Sequence, residues 1–304
     1  MADIIELHPS LRKLVGLEPT VQQIATGLGF TEGPVWDARR KRLIFSDIPG
    51  NTVYQWTEQN GHTVLRQPSN NTNGNTIDLQ GRLVSCEHSG RRVSRLDDGG
   101  GGLTVLASHF EGKQLNSPND VICSTQAEII FTDPPYGLKQ PDGSFAKGEL
   151  DFSGVYRLSG DGNLSLLVAD FVRPNGLLLD ASERRLFICD THNHHVRVFD
   201  MAGDGILSNG TVFAMLNYEE TQGRPDGIKT DTQGNIYVAG GTKEGVWVFN
   251  PEGALIGLIG VGENPANLAW GGDDWRTLFV TARTSVYRIE LTVAGQPVGG
   301  EAIR

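Results

Sequence analysis

A short phrase recurs six times along the chain, and this repeat constrains the fold more than any other feature. It is clearest as "NGLLLD", which begins at Asn175, and "DGIKTD", which begins at Asp226. Related phrases begin at Glu32, Asn73, Asn119 and Ala266. The copies lie about 40 to 56 residues apart, close to the length of one blade of a β-propeller. The repeat therefore predicts six structural units of similar size.

Each copy is followed by the same order of signals: an apolar run, a loop and a second, alternating run. "RLFICDTHNHHVRVFD" (185–200) and "NIYVAGGTKEGVWVFN" (235–250) are clear cases. Alternation such as "VWVF" (246–249) predicts strands covered on both faces, as stacked blades require. We therefore predict an all-β, six-bladed β-propeller with four-stranded blades. An open β-sandwich is the alternative, but sandwiches do not repeat one phrase so faithfully.

The start of the chain supplies a way to close the propeller. "VQQIATGL" (21–28) reads as a strand ahead of the first copy, and we expect this N-terminal strand to complete the last blade. We expect residues 1–19 to form an N-terminal extension and residues 20–304 to form a single propeller domain.

Charge and composition limit the partners. The formal net charge is −10 and the isoelectric point is near 5.2, which argues against nucleic acid or an anionic membrane as the main partner. The sequence has neither a long apolar run nor a signal-peptide pattern, so we expect a cytoplasmic protein. The three cysteines are too few and too scattered for a disulfide framework, and the oligomeric state is left open.

The first residue of each copy points to a cation site. In a propeller the first strand of each blade is innermost, so these six residues should meet at one end of the central channel. We call them the channel ring, and five of the six carry side-chain oxygen. A hard cation fits such ligands, calcium first and magnesium or manganese next, while zinc usually takes nitrogen or sulfur ligands. Asn-Gly and Asp-Gly turns are the alternative, but Glu32 is a poor turn former.

Loops between the second and third strands should lie on the same face. Three side chains near this face are predicted to contact a substrate: Asn73, His88 and Tyr136. After Tyr136 the chain inserts residues 137–152, which we interpret as a lid, with a tolerated surface insertion as the alternative. Histidines 192, 194 and 195 should point to different sides of their loop, so we do not predict a second metal site there.

The motifs "FTEGPVW", "LNSPNDV", "FTDPPYG", "PNGL" and "RPDG" resemble those of the SMP-30/gluconolactonase family of six-bladed propellers, in family order, from about residue 20 to 290. The resemblance implies a divalent cation bound by Glu32, Asn175 and Asp226, with Asn119 near the cation and in contact with substrate. One position departs from the family, because Ser117 stands where animal members have an arginine.

This resemblance implies a metal-dependent lactonase that opens a sugar-derived lactone, of the aldono or glucono type, or a similar small lactone. Zinc joins calcium, magnesium and manganese among the cations it allows. Asp226 is the predicted general base, as one of only two carboxylates in the channel ring. No serine nucleophile elbow is found. The alternatives are an organophosphate or aryl-ester hydrolase on the same scaffold, and a non-catalytic calcium-binding propeller.

Overall fold

The computed structural model describes residues 3–97, 102–203, 205–242 and 245–300. Six antiparallel sheets, each contributing four strands to a blade, form a six-bladed β-propeller, which confirms the predicted fold. The described part of the chain contains no helix long and apolar enough to cross a membrane.

The N-terminal segment contains strand β1 (Asp3–Glu6), helix α1 (Pro9–Val15) and strand β2 (Val21–Ala25). Blade 1 consists of β3 (Thr31–Asp37), β4 (Arg42–Asp47), β5 (Thr52–Thr57) and β6 (Gly61–Arg66). Blade 2 consists of β7 (Thr72–Ile77), β8 (Leu83–Glu87), β9 (Arg92–Leu96) and β10 (Leu103–Ala107). A short hairpin follows, formed by β11 (His109–Phe110) and β12 (Lys113–Gln114).

Blade 3 consists of β13 (Val121–Cys123), β14 (Ile129–Asp133), β15 (Ser153–Leu158) and β16 (Leu164–Phe171). Blade 4 consists of β17 (Pro174–Leu179), β18 (Arg185–Asp190), β19 (His195–Met201) and β20 (Leu207–Met215). A second hairpin follows, formed by β21 (Asn217–Tyr218) and β22 (Thr221–Gln222). Blade 5 consists of β23 (Ile228–Thr230), β24 (Ile236–Ala239), β25 (Val246–Phe249) and β26 (Leu255–Gly260). Blade 6 begins with β27 (Pro265–Gly271), β28 (Thr277–Ala282) and β29 (Ser285–Glu290).

The propeller is closed by the N-terminal strand, as predicted. β2 pairs antiparallel with β29, with Val21 opposite Ile289, and so becomes the outermost strand of blade 6. It ends at Ala25, three residues earlier than expected, and Gly27 just beyond it adopts a positive φ of 82°. β1 was not predicted; it pairs with β26 and gives blade 5 a fifth strand.

The blades are held together by apolar contacts between facing sheets. Along β25, Val246 and Val248 pack in one buried cluster, whereas Trp247 and Phe249 pack in another. The alternation seen in the sequence therefore divides this strand between its two neighbours, because successive side chains point to opposite faces of a sheet.

The chain leaves blade 6 as a C-terminal strap, residues 291–300, at the end of the channel opposite the channel ring. The Gln296 N–H donates to the Thr230 carbonyl of blade 5 at 3.1 Å, and Gly299 lies against Ile77 of blade 2. The strap therefore crosses the far end of the channel. A cavity of about 240 Å³ lies beside it.

Candidate functional site

The six residues of the channel ring occupy equivalent places at the start of the inner strands. Glu32, Asn73, Asn175 and Ala266 lie in the first residues of their strands, whereas Asn119 and Asp226 come two residues before β13 and β23. The pairing of β3 with β4 shifts register after Glu32, and that of β17 with β18 shifts across Asn175. Such irregularities re-aim side chains, and here they occur next to the channel.

The glycine that follows the ring residue has a packing role between blades. The Gly176 N–H donates to the Asp226 carbonyl at 3.1 Å, and a Cβ on Gly176 would lie only 2.2 Å from that oxygen. The Gly74 N–H donates to the Asn119 carbonyl at 2.8 Å, where a Cβ would lie at 2.5 Å. In the blades that have it, the glycine after the ring residue therefore allows the inner strand to approach the next blade closely.

Two blades place a polar side chain where the others have this glycine. These residues are Asp120 in blade 3 and Asn267 in blade 6, and both are buried. The Asn267 amide donates to Oε2 of Glu32 at 3.1 Å, and the Gly33 N–H donates to the same oxygen at 2.8 Å. Sequence reasoning missed both residues, although the missing glycine was the signal that could have found them.

The two carboxylates of the channel ring have strongly raised pKa values. Burial raises the pKa of Glu32 to about 7, and repulsion from Asp120 adds to this against the hydrogen bonds from Gly33 and Asn267. Burial also raises the pKa of Asp226 well above its usual range, with further contributions from the charges of Glu32 and Asp120. Within the described ranges neither carboxylate forms an ion pair, so a cation placed between them would relieve a real electrostatic cost.

The donor set fits a hard cation better than a soft one. No group of three His, Cys, Asp or Glu side chains able to hold a metal occurs among the described residues, so a cation site here would need amide, carbonyl or water oxygens in addition to carboxylates. Asn175 is arranged for that purpose. Its Nδ2 donates to Thr191 Oγ1 at 3.0 Å, and this hydroxyl donates to the Pro225 carbonyl at 2.7 Å. The Thr191 contact fixes the amide and leaves its oxygen available.

Two of the predicted substrate contacts are paired with each other. Asn73 Nδ2 lies 3.3 Å from His88 Nε2, and both side chains are buried. Burial lowers the pKa of His88 to about 4, so its ring is neutral at pH 7 and accepts the amide hydrogen. Asn119 is buried as well, and its N–H donates to the Thr132 carbonyl at 2.8 Å.

Tyr136 begins a short 3₁₀ helix, Tyr136–Leu138, and Ser117 holds this loop in place. The Ser117 hydroxyl donates to the Pro134 carbonyl at 2.6 Å and accepts the Gly137 N–H at 2.8 Å. A Cβ on Gly137 would lie 2.7 Å from the Ser117 Cβ, so the small residue at 117 allows this close approach.

The Tyr136 hydroxyl is directed toward the channel ring. It is buried without a hydrogen-bond partner of normal geometry among the described residues. Burial raises its pKa to about 12, and Thr191 and Asn175 lie close enough to lower it in part. The hydroxyl is therefore protonated at neutral pH and available as a donor beside Asn175.

The three histidines of the 191–195 loop do not converge. His192 is exposed, His194 Nδ1 bonds to the Gly223 carbonyl at 2.7 Å, and His195 pairs with Met215 between β19 and β20.

Fold and site together define a six-bladed β-propeller with an oxygen-rich channel ring and further polar side chains beside it. The sequence family described as the SMP-30/Gluconolactonase/LRE-like region matches residues 30–284, and the chain belongs to this family. The gluconolactonase of Zymomonas mobilis is 30% identical over 96% of this chain and 87% of its own length.

Solved structures of related proteins have the same fold. A gluconolactonase structure from Xanthomonas campestris superposes with a TM-score of 0.87 at 33% identity, covering 95% of this chain and 94% of its own. Regucalcin of Agrobacterium tumefaciens, described as a calcium-binding protein, shares the fold with a TM-score of 0.77 at 18% identity, covering 92% of this chain and 96% of its own. The gluconolactonase homologues indicate a lactone-hydrolysing enzyme.

Proposed function

We propose that this chain hydrolyses a sugar-derived lactone to its hydroxy acid with one divalent cation, calcium first, held by Glu32, Asn175 and Asp226. The observation that carries the proposal is the pair of ring carboxylates, Glu32 and Asp226. Burial raises the pKa of both, the charge of Asp120 raises both further, and the charge of Glu32 also raises that of Asp226. The gluconolactonase relatives support the substrate class, and the calcium-binding relative supports the choice of cation.

A bound cation would supply Lewis-acid chemistry, polarising the lactone carbonyl and stabilising the tetrahedral oxyanion. The chain's own residues would orient the substrate. Tyr136 offers a protonated hydroxyl beside Asn175, and the His88–Asn73 pair forms a neutral polar wall. Asn119, buried in the neighbouring blade, is proposed as a further substrate contact.

Asp226 is the proposed general base. It is half-buried, unlike the fully buried Glu32, so one of its carboxylate oxygens can face a water molecule. Cation binding would lower its proton affinity, so this role requires one oxygen to stay free of the cation. The water proton would move to that oxygen as the water attacks the lactone carbonyl.

The first experiment compares cations and substrates. The protein is treated with a chelator and reloaded with calcium, magnesium, manganese or zinc, and turnover is measured on aldonolactones, acyl lactones and aryl esters. We expect no turnover without a cation, the fastest turnover with calcium, and a preference for aldonolactones. Full activity in chelator would refute the cation's role, and a preference for aryl esters would refute the substrate class.

A second experiment separates cation binding from base catalysis. Asp226→Asn keeps an oxygen ligand of nearly the same shape but removes the charge and the basic site, whereas Asn175→Asp adds a charge in the neighbouring blade. With the cation saturating, we expect Asp226→Asn to lower kcat by about 10² to 10⁴. The double exchange restores the charge count and should not restore turnover. Near-normal turnover by saturated Asp226→Asn contradicts the base assignment and leaves the cation site intact.

A further inference from the structure

Arg173 occupies a fixed place at the edge of the site, two residues before Asn175. Its backbone N–H donates to Asp190 Oδ1 at 3.3 Å, and its carbonyl accepts the Thr191 N–H at 3.2 Å. Both main-chain groups are therefore held by the end of β18. Only the side chain has freedom to move, so its direction is set largely by what it packs against.

The Arg173 guanidinium lies over an aromatic ring of the insertion. Its Cζ is 5.1 Å from the centroid of the Phe145 ring. The Phe145 ring in turn meets the Tyr136 ring edge-on, with centroids 6.4 Å apart. The insertion thus brings a cation and two aromatic rings together beside the channel ring, and the Arg173 charge reaches the Tyr136 hydroxyl, whose pKa it lowers.

The Arg173 guanidinium also lacks a carboxylate partner within ion-pair distance among the described residues. The aromatic ring of Phe145 covers the flat face of the guanidinium and leaves the N–H groups at the edge of the guanidinium free to donate. A guanidinium has five N–H donors and no acceptor, so it can recognise only groups that offer acceptor oxygens.

We infer that Arg173 is a specificity-determining residue that donates hydrogen bonds to hydroxyl oxygens of the substrate, away from the lactone carbonyl. This inference rests on the proposed function and narrows its substrate class to lactones that carry hydroxyl groups. Arg173 is partly exposed and its charge acts on the Tyr136 hydroxyl, so its guanidinium is close enough to the site to meet a substrate bound there. An unsubstituted lactone would leave its donors without acceptors.

Blade 4 contains a matched control in Arg185. This guanidinium also lies over an aromatic ring, 5.3 Å from the Phe187 centroid, but it pairs with Asp180 at 3.2 Å. Arg185 begins β18, whereas the Arg173 backbone is bonded to the residues at the other end of that strand. Arg185→Met removes the same groups at a position remote from the channel ring.

The kinetic test compares Arg173→Met and Arg185→Met with the calcium-loaded wild type. Methionine keeps a long apolar side chain against Phe145 and removes every donor. We expect Arg173→Met to lower kcat/KM for glucono-δ-lactone by about 10- to 100-fold, the range for hydrogen bonds to a charged group. Turnover of δ-valerolactone, which has no hydroxyl group, should change less than about threefold, and Arg185→Met should leave both unchanged. Equal losses on both lactones would overturn the inference.

A binding measurement decides the same question without turnover. Gluconate and hexanoate share a carboxylate, but only gluconate carries hydroxyl groups. Calorimetry on the calcium-loaded protein should show that wild type prefers gluconate and that Arg173→Met loses about 10-fold or more of this preference. If wild type hydrolysed no lactone, the proposed function would be refuted. The binding comparison would still test whether Arg173 recognises hydroxyl groups. A preference that is absent from wild type, or retained in the variant, overturns the inference.

Discussion

Replacing Gly176 by alanine tests the contact between blades 4 and 5 on which the channel ring depends. The added methyl group would lie 2.2 Å from the Asp226 carbonyl oxygen and 2.8 Å from the Cα of Gly227. Both neighbours are backbone atoms, so no side chain can rotate away. The two blades must separate, and Asn175 and Asp226 must separate with them.

The magnitude follows from three contributions. Losing or stretching the bond from the Gly176 N–H costs about 1 kcal/mol, and forcing a methyl group into a filled space costs about 1–3 kcal/mol. Alanine also lowers the conformational entropy of the unfolded chain. This offsets about 0.4–1 kcal/mol of the loss, because alanine tolerates the φ of this position. We expect a net loss of about 1–3.5 kcal/mol, or roughly 2 to 5 °C in the unfolding midpoint of a chain of this length.

The assay is thermal unfolding followed by circular dichroism in chelator, with Gly160→Ala as the control. A Cβ on Gly160 meets nothing within 4 Å, so that variant should unfold at or slightly above the wild-type temperature. Calcium titration should then show weaker binding to Gly176→Ala. An unfolding midpoint within about 1 °C of wild type would refute the tight contact.

Buried groups around the channel ring give three further tests. In chelator, the unfolding midpoint of wild type relative to Glu32→Gln should fall as the pH rises from about 5 to about 8. The folded pKa of Glu32 is about 7 against an ordinary 4.5, so its favourable protonation, up to about 3 kcal/mol, is lost over that window. Thr191→Val frees the Asn175 amide and should weaken calcium binding about 10-fold in calorimetry. Ser117→Ala releases the Tyr136 loop and should lower the unfolding free energy by about 1–2 kcal/mol and raise KM.

Each of these tests has a clear contrary result. A relative midpoint that rises with pH would show that Glu32 ionises readily in the folded chain. Unchanged calcium affinity in Thr191→Val would mean that the Asn175 amide needs no support or is not a ligand. Wild-type stability and KM in Ser117→Ala would show that other contacts position the loop.

The blades were predictable because each one needs the same innermost strand and the same close approach to its neighbour. That requirement places a glycine after the ring residue in four copies, such as Gly74 and Gly176, and so leaves a readable repeat. The expectation that loops between second and third strands lie on the face of the channel ring also predicted that Asn73 and His88 share one face, and their side chains are in contact. The assignment of Glu32, Asn175 and Asp226 as cation ligands stays a prediction.

Other features depended on packing that no local pattern records. The pairing of Asp3–Glu6 with β26 joins segments some 250 residues apart, and a strand of only four residues has no distinctive sequence signal. The stacking of Arg173 on Phe145 required the folded shape of the insertion. Asp120 and Asn267 were visible as departures from the repeat. The hydrogen bond from Asn267 to Glu32 follows from the closure that makes blades 1 and 6 neighbours, and the effect of Asp120 on Glu32 follows from the convergence of the blades on one channel.

The C-terminal strap limits the routes by which a substrate can enter the channel and a product can leave it. Because residues 291–300 cross the far end of the channel, a lactone and its product would both have to pass through the end where the channel ring lies. A hydroxy acid would have to depart before the next lactone arrived, and its new carboxylate would be attracted to the same cation. Product should therefore accumulate as a competitive inhibitor, and late turnovers should be slower than early ones.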